Sequence, residues 1–236
     1  MMTLTADAET LSPIYIFRRF FADRYLQGNG IEVGALNHPL EVPVSTHVKY
    51  VDRMSVPDLR KHYPELADVN LVPVDIIDNG EVLGTVDDES QDFLIANHFI
   101  EHCQNPIQTI ENLLRVIKKD GILYLAVPEK RICFDRDRPV TSIEHLLQDY
   151  QQGPEWSRQN HYQEWVELVE KEKDESKAEW MVKELMRRDF SIHFHVWTAP
   201  DFVDFLITLK QQLGFPFTLE KIFDNANELI SIIRKI

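Results

Sequence analysis

Short apolar runs that alternate with stretches of helical spacing are the feature of this sequence that most restricts its fold. The runs with the length and apolar character of buried strands are 31–33, 48–51, 71–74, 92–96 and 122–127. Residues 55–62 and 106–117 lie between them, and their apolar side chains recur at the spacing of a helix face. Strands and helices that alternate at such short intervals predict an α/β fold, with a mostly parallel sheet and helices on both of its faces.

The pattern changes after Pro128. Residues 141–190 are rich in charge and in Trp, and we interpret them as helices that form an insertion or cap within a single domain spanning residues 1–236. Two apolar runs close the chain at 217–223 and 229–233, and the turn residues between them predict an antiparallel hairpin. The predicted sheet therefore has seven strands, of which the last is antiparallel.

The charge of the chain limits the molecules that it can bind. Its 236 residues include 25 basic and 39 acidic residues, which gives a net charge of −14. A surface this acidic repels a phosphate backbone, so we expect no nucleic-acid substrate. The two cysteines, Cys103 and Cys133, lack metal-ligand spacing and fit a reducing compartment. Residues 1–13 lack the basic start and apolar core of a signal peptide, and no apolar run has membrane-spanning length, so we expect a cytoplasmic protein with no membrane partner.

Polar residues stand where the predicted strands end. Gly34 follows the first run, Asp52 the second and Asp75 the third, and the fourth is followed by Asn97 and His98. Open α/β sheets bind ligands at the carboxyl ends of their strands, close to the point where the strand order reverses. A carboxylate after the second strand can accept hydrogen bonds from both hydroxyls of a ribose, and Gly34 lets the backbone approach a ligand closely. These residues predict a nucleoside pocket without a strong phosphate cradle.

Several segments resemble those of class I S-adenosylmethionine (SAM)-dependent methyltransferases in order and spacing. The segments that carry the resemblance are Ile31-Glu32-Val33-Gly34, Tyr50-Val51-Asp52, Val74-Asp75-Ile76 and Asp92–His98. Residues 97–102 and 114–123 are similar to the small-molecule branch of that family. The resemblance implies a Rossmann-like sheet, SAM as the cofactor, and methyl transfer to a hydroxyl or amine of a small-molecule acceptor.

The resemblance also implies roles for individual residues. Glu32 and Gly34 would lie beside the methionine part of SAM, and Asp52 would hold the ribose hydroxyls. Asp75 and its neighbour Ile76 would border the adenine. The whole cofactor-binding set is Glu32, Gly34, Ala35, Asp52, Arg53, Asp75, Ile76, Asn97 and His98.

Two histidines are candidates for the catalytic base. Asn97 and His98 would face the cofactor across the pocket, and His102 lies in what should be the first turn of the next helix. The imidazole of His98 or of His102 could accept a proton from an acceptor hydroxyl or amine. The alternative for His102 is a packing or capping role.

The loop after the first strand departs from the family pattern. The family has G-x-G-x-G there, whereas this chain has Gly34-Ala35-Leu36-Asn37-His38-Pro39. Leu36 and His38 occupy the second and third glycine positions, where side chains can crowd a cofactor. The departure raises the alternative of a methyltransferase-like binding or scaffold protein without turnover. A nicotinamide-dependent oxidoreductase is disfavoured, because the G-x-G-x-x-G cradle for a pyrophosphate is absent.

His193 and His195 alternate along residues 190–197, which we interpret as a strand, so both would point to one face. A metal site there would need a third ligand, such as His145 or His161. Nothing in the sequence brings such a partner to them. Packing of an aromatic strand under the insertion is therefore favoured, and no metal is predicted.

Overall fold

A computed structural model of the chain describes residues 13–236, and the prediction about a signal peptide in residues 1–13 falls almost entirely outside this range. The strands are β1 (Asn29–Val33), β2 (His47–Asp52), β3 (Ile76–Ile77), β4 (Gln91–Asn97), β5 (Ile117–Pro128), β6 (Phe217–Asp224) and β7 (Glu228–Lys235). The helices are α1 (Pro13–Tyr25), α2 (Val56–His62), α3 (Pro106–Val116), α4 (Ile143–Gln152), α5 (Glu155–Leu168), α6 (Glu175–Arg187) and α7 (Ala199–Gln211). None of these helices is both long enough and apolar enough to traverse a lipid bilayer.

The strands form one sheet in the order β3-β2-β1-β4-β5-β7-β6. The first five of these pair in parallel, whereas β7 pairs antiparallel with both β5 and β6. The predicted α/β fold, with a mostly parallel seven-stranded sheet and an antiparallel last strand, is therefore confirmed. The strand order reverses between β1 and β4, and open α/β sheets bind their ligands at such a switch point.

The two faces of the sheet bury different side chains, because successive residues of a strand point to opposite sides. In β4, Leu94 and Ala96 belong to the core beneath α3 and α7. Phe93 and Ile95 of the same strand belong to the core beneath α1. Each large apolar side chain that is buried in this way stabilises the fold by about 1.5–3 kcal/mol, so the central strands hold the sheet in register.

The third strand lies later in the chain than the sequence predicts. Residues 71–74 are extended but unpaired, and pairing with β2 begins only at Asp75, whose N–H donates to the carbonyl of Tyr50 at 2.9 Å. Pro73 explains the difference, since it has no N–H to contribute to a ladder. Asp75 therefore precedes β3, and the prediction that it stands at the carboxyl end of this strand is wrong.

The prediction of a strand at residues 190–197 is also wrong. This segment is extended but pairs with no strand, because the N–H groups of Phe194 and His195 both donate to the carbonyl of Glu101, at 2.7 and 3.2 Å. A single carbonyl in the loop after β4 thus takes the place of a ladder partner. Without a ladder to set the alternation, His193 and His195 do not share one environment: His193 packs beside the turn after β4, and His195 packs against α4 and α5.

Candidate active site

A cavity of about 670 Å³ lies at the carboxyl ends of β1, β2 and β3. Turns that follow these strands form its floor, and residues 189–194, which follow α6, form its outer wall. Its position at the switch point and its volume suit a ligand of nucleoside size. The sequence-predicted residues that line it are Gly34, Asp52, Arg53, His98 and His102.

Asp52 ends β2 and presents a half-buried carboxylate to the cavity. Burial raises the pKa of this carboxyl group, and hydrogen bonds from the N–H groups of Met54 and Arg53 partly offset the effect. A carboxylate in this state gains from further hydrogen-bond donors, and the two hydroxyls of a ribose are such donors. The structure places Asp52 where its strand end predicts, and its contact with a ribose stays a prediction.

Asp78, rather than Asp75, reaches the cavity beyond β3. Asp75 accepts the N–H of Tyr50 at 2.9 Å, within the ladder between β2 and β3. Asp78 lines the cavity together with Asn79, and it accepts the N–H and the hydroxyl of Thr85, both at 2.7 Å. Burial raises the pKa of Asp78, but these hydrogen bonds outweigh it and lower the pKa overall. Asp78 is thus an anion that orders the turn at the adenine end of the predicted pocket.

The loop after β1 leaves the cavity open despite its missing glycines. Gly34 has a φ of 67°, in the left-handed region that favours glycine. Leu36 also has a left-handed φ of 49°, and its side chain forms part of the cavity wall. His38 is exposed and lies outside the cavity lining. The volume of about 670 Å³ remains with Leu36 in place, so this side chain bounds the cavity without filling it.

Four more of the predicted cofactor residues lie outside the cavity lining, namely Glu32, Ala35, Ile76 and Asn97. Glu32 is buried in β1, where its carboxylate oxygens accept the N–H of Leu40 at 2.9 and 3.1 Å and so hold the end of the loop. Ile76 packs against the core beneath α3 and α7. The amide atoms of Asn97, at the end of β4, are buried and have no hydrogen-bond partner within residues 13–236.

Arg53 joins the floor of the cavity to its outer wall. Its guanidinium donates to the carbonyl of Asp189 at 3.2 Å and to the hydroxyl of Tyr63 at 2.7 Å, and all three residues line the cavity. The wall and Tyr63 were missed by sequence reasoning, because they come from segments 136 and 10 residues away from Arg53. No local pattern marks such contacts.

His98, whose side chain is 39% exposed, contacts the buried ion pair of Glu228 and Arg18. It has a left-handed φ of 49°, and its Nε2 lies 2.8 Å from Oε2 of Glu228; the other oxygen of Glu228, Oε1, accepts the Nε–H of Arg18 at 2.8 Å. Burial lowers the pKa of His98, but Glu228 and Glu101 outweigh it and raise the pKa above the usual value. Burial likewise raises the pKa of Glu228, but Arg18 and His98 lower it to about 2. The network therefore favours a protonated His98.

The pKa of His102 is lowered, in contrast to that of His98. Its Nδ1 lies 3.0 Å from the carbonyl oxygen of Ile192, and since a carbonyl can only accept, Nδ1 carries the proton. The lone pair therefore resides on Nε2. Burial and the neighbouring His193 lower the pKa of His102 to about 3, so the ring is neutral at physiological pH. A neutral imidazole is the form that can accept a proton.

Acidic groups surround His102 on its buried side. Both carboxylate oxygens of Glu101 are buried and have no hydrogen-bond partner within residues 13–236, and burial raises the pKa of this group. One ligand atom each of Glu101, His102 and His193 lies within 4.8 Å of the others. Nδ1 of His193 in turn donates to Asp135 at 2.6 Å. Sequence reasoning missed Glu101 and Asp135 as parts of the site, since neither stands at a strand end.

The profile of a family described as Methyltransferase domain matches residues 16–202. The chain belongs to this family. The methyltransferase has the class I fold, and SAM is its cofactor. The residues present fit this cofactor. Asp52 offers a half-buried hydrogen-bond acceptor. The space beside Gly34 is open, since the only atom within residues 13–236 near an added Cβ there would be Cδ2 of Phe99, at 3.7 Å.

Solved structures share the fold of the methyltransferase. A Rhodobacter sphaeroides protein, provisionally assigned as a Zn-dependent alcohol dehydrogenase, matches with a TM-score of 0.56 and 17% identity over 93% of this chain and 89% of that one. A chain from the Haloferax volcanii complex of the Trm112 methyltransferase activator with a provisionally assigned methyltransferase matches with a TM-score of 0.51 and 10% identity, over 96% of this chain and 91% of that one. A Pyrococcus horikoshii protein matches with a TM-score of 0.50 and 16% identity, over 97% of this chain and 89% of that one. Such identities show the fold alone, and no curated protein matches the sequence.

Proposed function

We propose that the methyltransferase transfers the methyl group of SAM to a hydroxyl or amine of a small-molecule metabolite, with His102 as the general base. The observation that carries this proposal is the state of His102. It lies on the cavity wall with its Nδ1 proton held by the carbonyl of Ile192, which leaves the lone pair on Nε2 to take a proton from the acceptor.

Each part of the cavity has a task in this reaction. Bound SAM supplies a methyl group that is already activated as a sulfonium. Asp52 would hold the ribose hydroxyls, and the wall at 189–194 would exclude water from the acceptor. Nε2 of His102 accepts the proton that the acceptor O–H or N–H releases. The adjacent carboxyl group of Glu101, when ionised, stabilises the imidazolium that results.

His98 is the less suitable base. Its raised pKa and its hydrogen bond to Glu228 favour the protonated ring, which has no lone pair to accept a proton. We assign it a positioning role at the end of β4, where it and the turn that follows border the cofactor side of the cavity.

Charge, chain connectivity and free thiols support three further parts of the proposal. The net charge of −14 disfavours a nucleic-acid acceptor, and a cavity of about 670 Å³ suits a small molecule. We propose that residues 141–190 form an insertion in one methyltransferase-like domain, since β5 before them pairs with β7 after them. Free thiols at Cys103 and Cys133 are compatible with a reducing compartment such as the cytoplasm.

The test is transfer of labelled methyl from SAM to a panel of small hydroxyl and amine compounds by wild-type and His102→Gln enzymes. Loss of a general base lowers kcat by about 10²–10⁴-fold. SAM affinity should stay unchanged, because His102 acts on the acceptor. The matched control is His47→Gln, since His47 is an exposed histidine at the start of β2.

Two results would contradict the proposal separately. Equal turnover by the wild-type and His102→Gln enzymes would remove His102 from the proton transfer while leaving the small-molecule acceptor in place. Methylation of RNA or protein substrates, with none of the small molecules accepted, would remove the proposed acceptor class.

A further inference from the structure

Three histidines and an aspartate converge away from the cofactor cavity. His145 and Asp149 lie one turn apart on α4, His161 lies on α5, and His195 lies on the extended segment before α7. One ligand atom of each residue lies within 4.8 Å of those of all the others. The sequence suggested His145 or His161 as a third partner for the pair His193 and His195, but the structure brings both to His195 alone.

The distances within this cluster are those of a coordination sphere. Nε2 of His145 lies 3.1 Å from Nε2 of His161 and 3.2 Å from Oδ2 of Asp149, and His195 brings a ring nitrogen within 4.8 Å of the ligand atoms of the other three residues. Around a tetrahedral zinc ion with bonds of about 2.0–2.1 Å, the ligand atoms stand about 3.3 Å apart. The cluster is thus already close to the geometry that the ion requires.

Two buried atoms of the cluster lack partners that a cation would provide. Oδ2 of Asp149 and Nδ1 of His195 have no hydrogen-bond partner within residues 13–236, and both side chains are fully buried. An unsatisfied buried polar atom costs about 1–3 kcal/mol, more when the group is charged. The other oxygen of Asp149, Oδ1, accepts the hydroxyl of Ser157 at 2.8 Å, which fixes Oδ2 towards the three rings.

The surroundings keep the rings in their ligand form. Burial, followed by the neighbouring His145, lowers the pKa of His161 to about 4, and burial lowers the pKa of His195 well below its usual value. Both are therefore neutral imidazoles, which is the form that coordinates a metal. Nε2 of His195 lies 3.3 Å from the carbonyl of Gln104, which can only accept, so Nε2 carries the ring proton and Nδ1 offers the lone pair; a ring proton held by a carbonyl in this way is typical of histidines that ligate metals.

We propose that His145, Asp149, His161 and His195 bind one Zn²⁺ ion. The donors are nitrogen and carboxylate oxygen, four in number, and three of the four residues are buried, which is the composition of a closed structural site. The ion would tie α4 and α5 to the extended segment that ends at α7. Through Gln104, which lines the cavity, it would also fix the back of the cofactor site. The site is separate from methyl transfer, so its proposal stands apart from the acceptor and the base.

The test is metal content of the full-length protein after chelation and reconstitution with Zn²⁺ alone. After reconstitution, wild type should contain about one zinc ion per chain. Addition of Zn²⁺ to the chelated protein should raise its melting temperature, because an ion that binds the native state stabilises it. His161→Ala should lose the zinc and the thermal response. His145→Gln is a second variant at a partly exposed position, in case His161→Ala fails to fold. Co²⁺ in place of zinc should give the visible absorption of a tetrahedral site in wild type but not in His161→Ala or His145→Gln.

Two control variants locate the ion. His47→Ala removes an exposed histidine and should keep the full zinc content. His193→Ala alters the other group of metal-ligating side chains, with Glu101 and His102, and should also keep it. A wild type without zinc, zinc retained by both His145→Gln and His161→Ala, or zinc lost only from His193→Ala would each overturn the proposal.

Discussion

The buried carboxyl group of Glu32 should make the stability of the protein depend on pH, and Glu32→Gln should remove this dependence. Glu32 is 1% exposed, and burial raises its pKa from 4.5 to about 7, although the N–H of Leu40 and the charge of Arg18 act in the opposite direction. The folded state therefore holds the proton of Glu32 more tightly than the unfolded chain does. As the pH rises from 4.5 to 7, the unfolded chain releases this proton first, and the free energy of unfolding falls.

The size of the effect follows from the two pKa values. The difference between about 7 in the folded chain and 4.5 in the unfolded chain corresponds to about 3 kcal/mol, at about 1.4 kcal/mol for each pKa unit. Gln at this position keeps an oxygen that accepts the N–H of Leu40 but carries no titrating proton. We therefore expect Glu32→Gln to match wild type near pH 4.5 and to exceed it by up to about 3 kcal/mol at pH 8.

Urea denaturation of both proteins at pH 5 and pH 8, followed by tryptophan fluorescence, measures this difference. The control is Glu41→Gln, because Glu41 lies on the same loop with a side chain that is 73% exposed. Its stability should follow that of wild type at both pH values. A Glu32→Gln variant that is destabilised by the same amount at pH 5 and pH 8 would refute the reasoning, since the acid would then act only through its hydrogen bond.

Two further substitutions test the network and the sheet. Glu228→Gln should lower the free energy of unfolding by about 3–5 kcal/mol at pH 7, because Arg18 would be left buried without its counter-charge. Urea denaturation measures this loss, and a loss below about 1 kcal/mol would contradict the prediction. The stability that ionised Glu228 contributes is present above pH 4.5 and is lost as the pH falls towards about 2. Gly30→Ala would place a Cβ 2.4 Å from the ring of Phe93, and this overpacking should lower the free energy of unfolding by about 1–3 kcal/mol and with it the melting temperature. Gly84→Ala is the control, because its Cβ would lie 3.8 Å from its nearest neighbour and should leave the melting temperature unchanged.

The sheet was largely predictable because its signal is local. The apolar runs in β4 and β5 and the closing hairpin mark the strands, and their buried residues alternate between two cores as expected. The errors arose where pairing depends on single backbone groups. Pro73 has no N–H, which delays β3 to Ile76, and the carbonyl of Glu101 takes both N–H groups that a strand at 190–197 would have needed.

The site was predictable only where it follows a strand end. Asp52 and Gly34 lie on the cavity because Asp52 ends β2 and Gly34 follows β1 directly. Beyond β3 the cavity is lined by Asp78 and not by Asp75, three positions earlier, and the contact of Asp75 with the adenine stays a prediction. Contacts over long sequence distances were out of reach: Arg18 pairs with Glu228 across 210 residues, and no periodicity connects them.

Calorimetry with SAM on wild type and Asp52→Ala is the most direct test of whether this cavity holds the cofactor. Removal of a carboxylate that accepts two ribose hydroxyls should cost about 3 kcal/mol of binding, or roughly 100-fold in Kd. The stability of the free protein should stay equal or rise, because burial already raises the pKa of Asp52 and so disfavours its charge in the folded state. Wild-type affinity for SAM in Asp52→Ala would contradict the assignment of this cavity as the cofactor site.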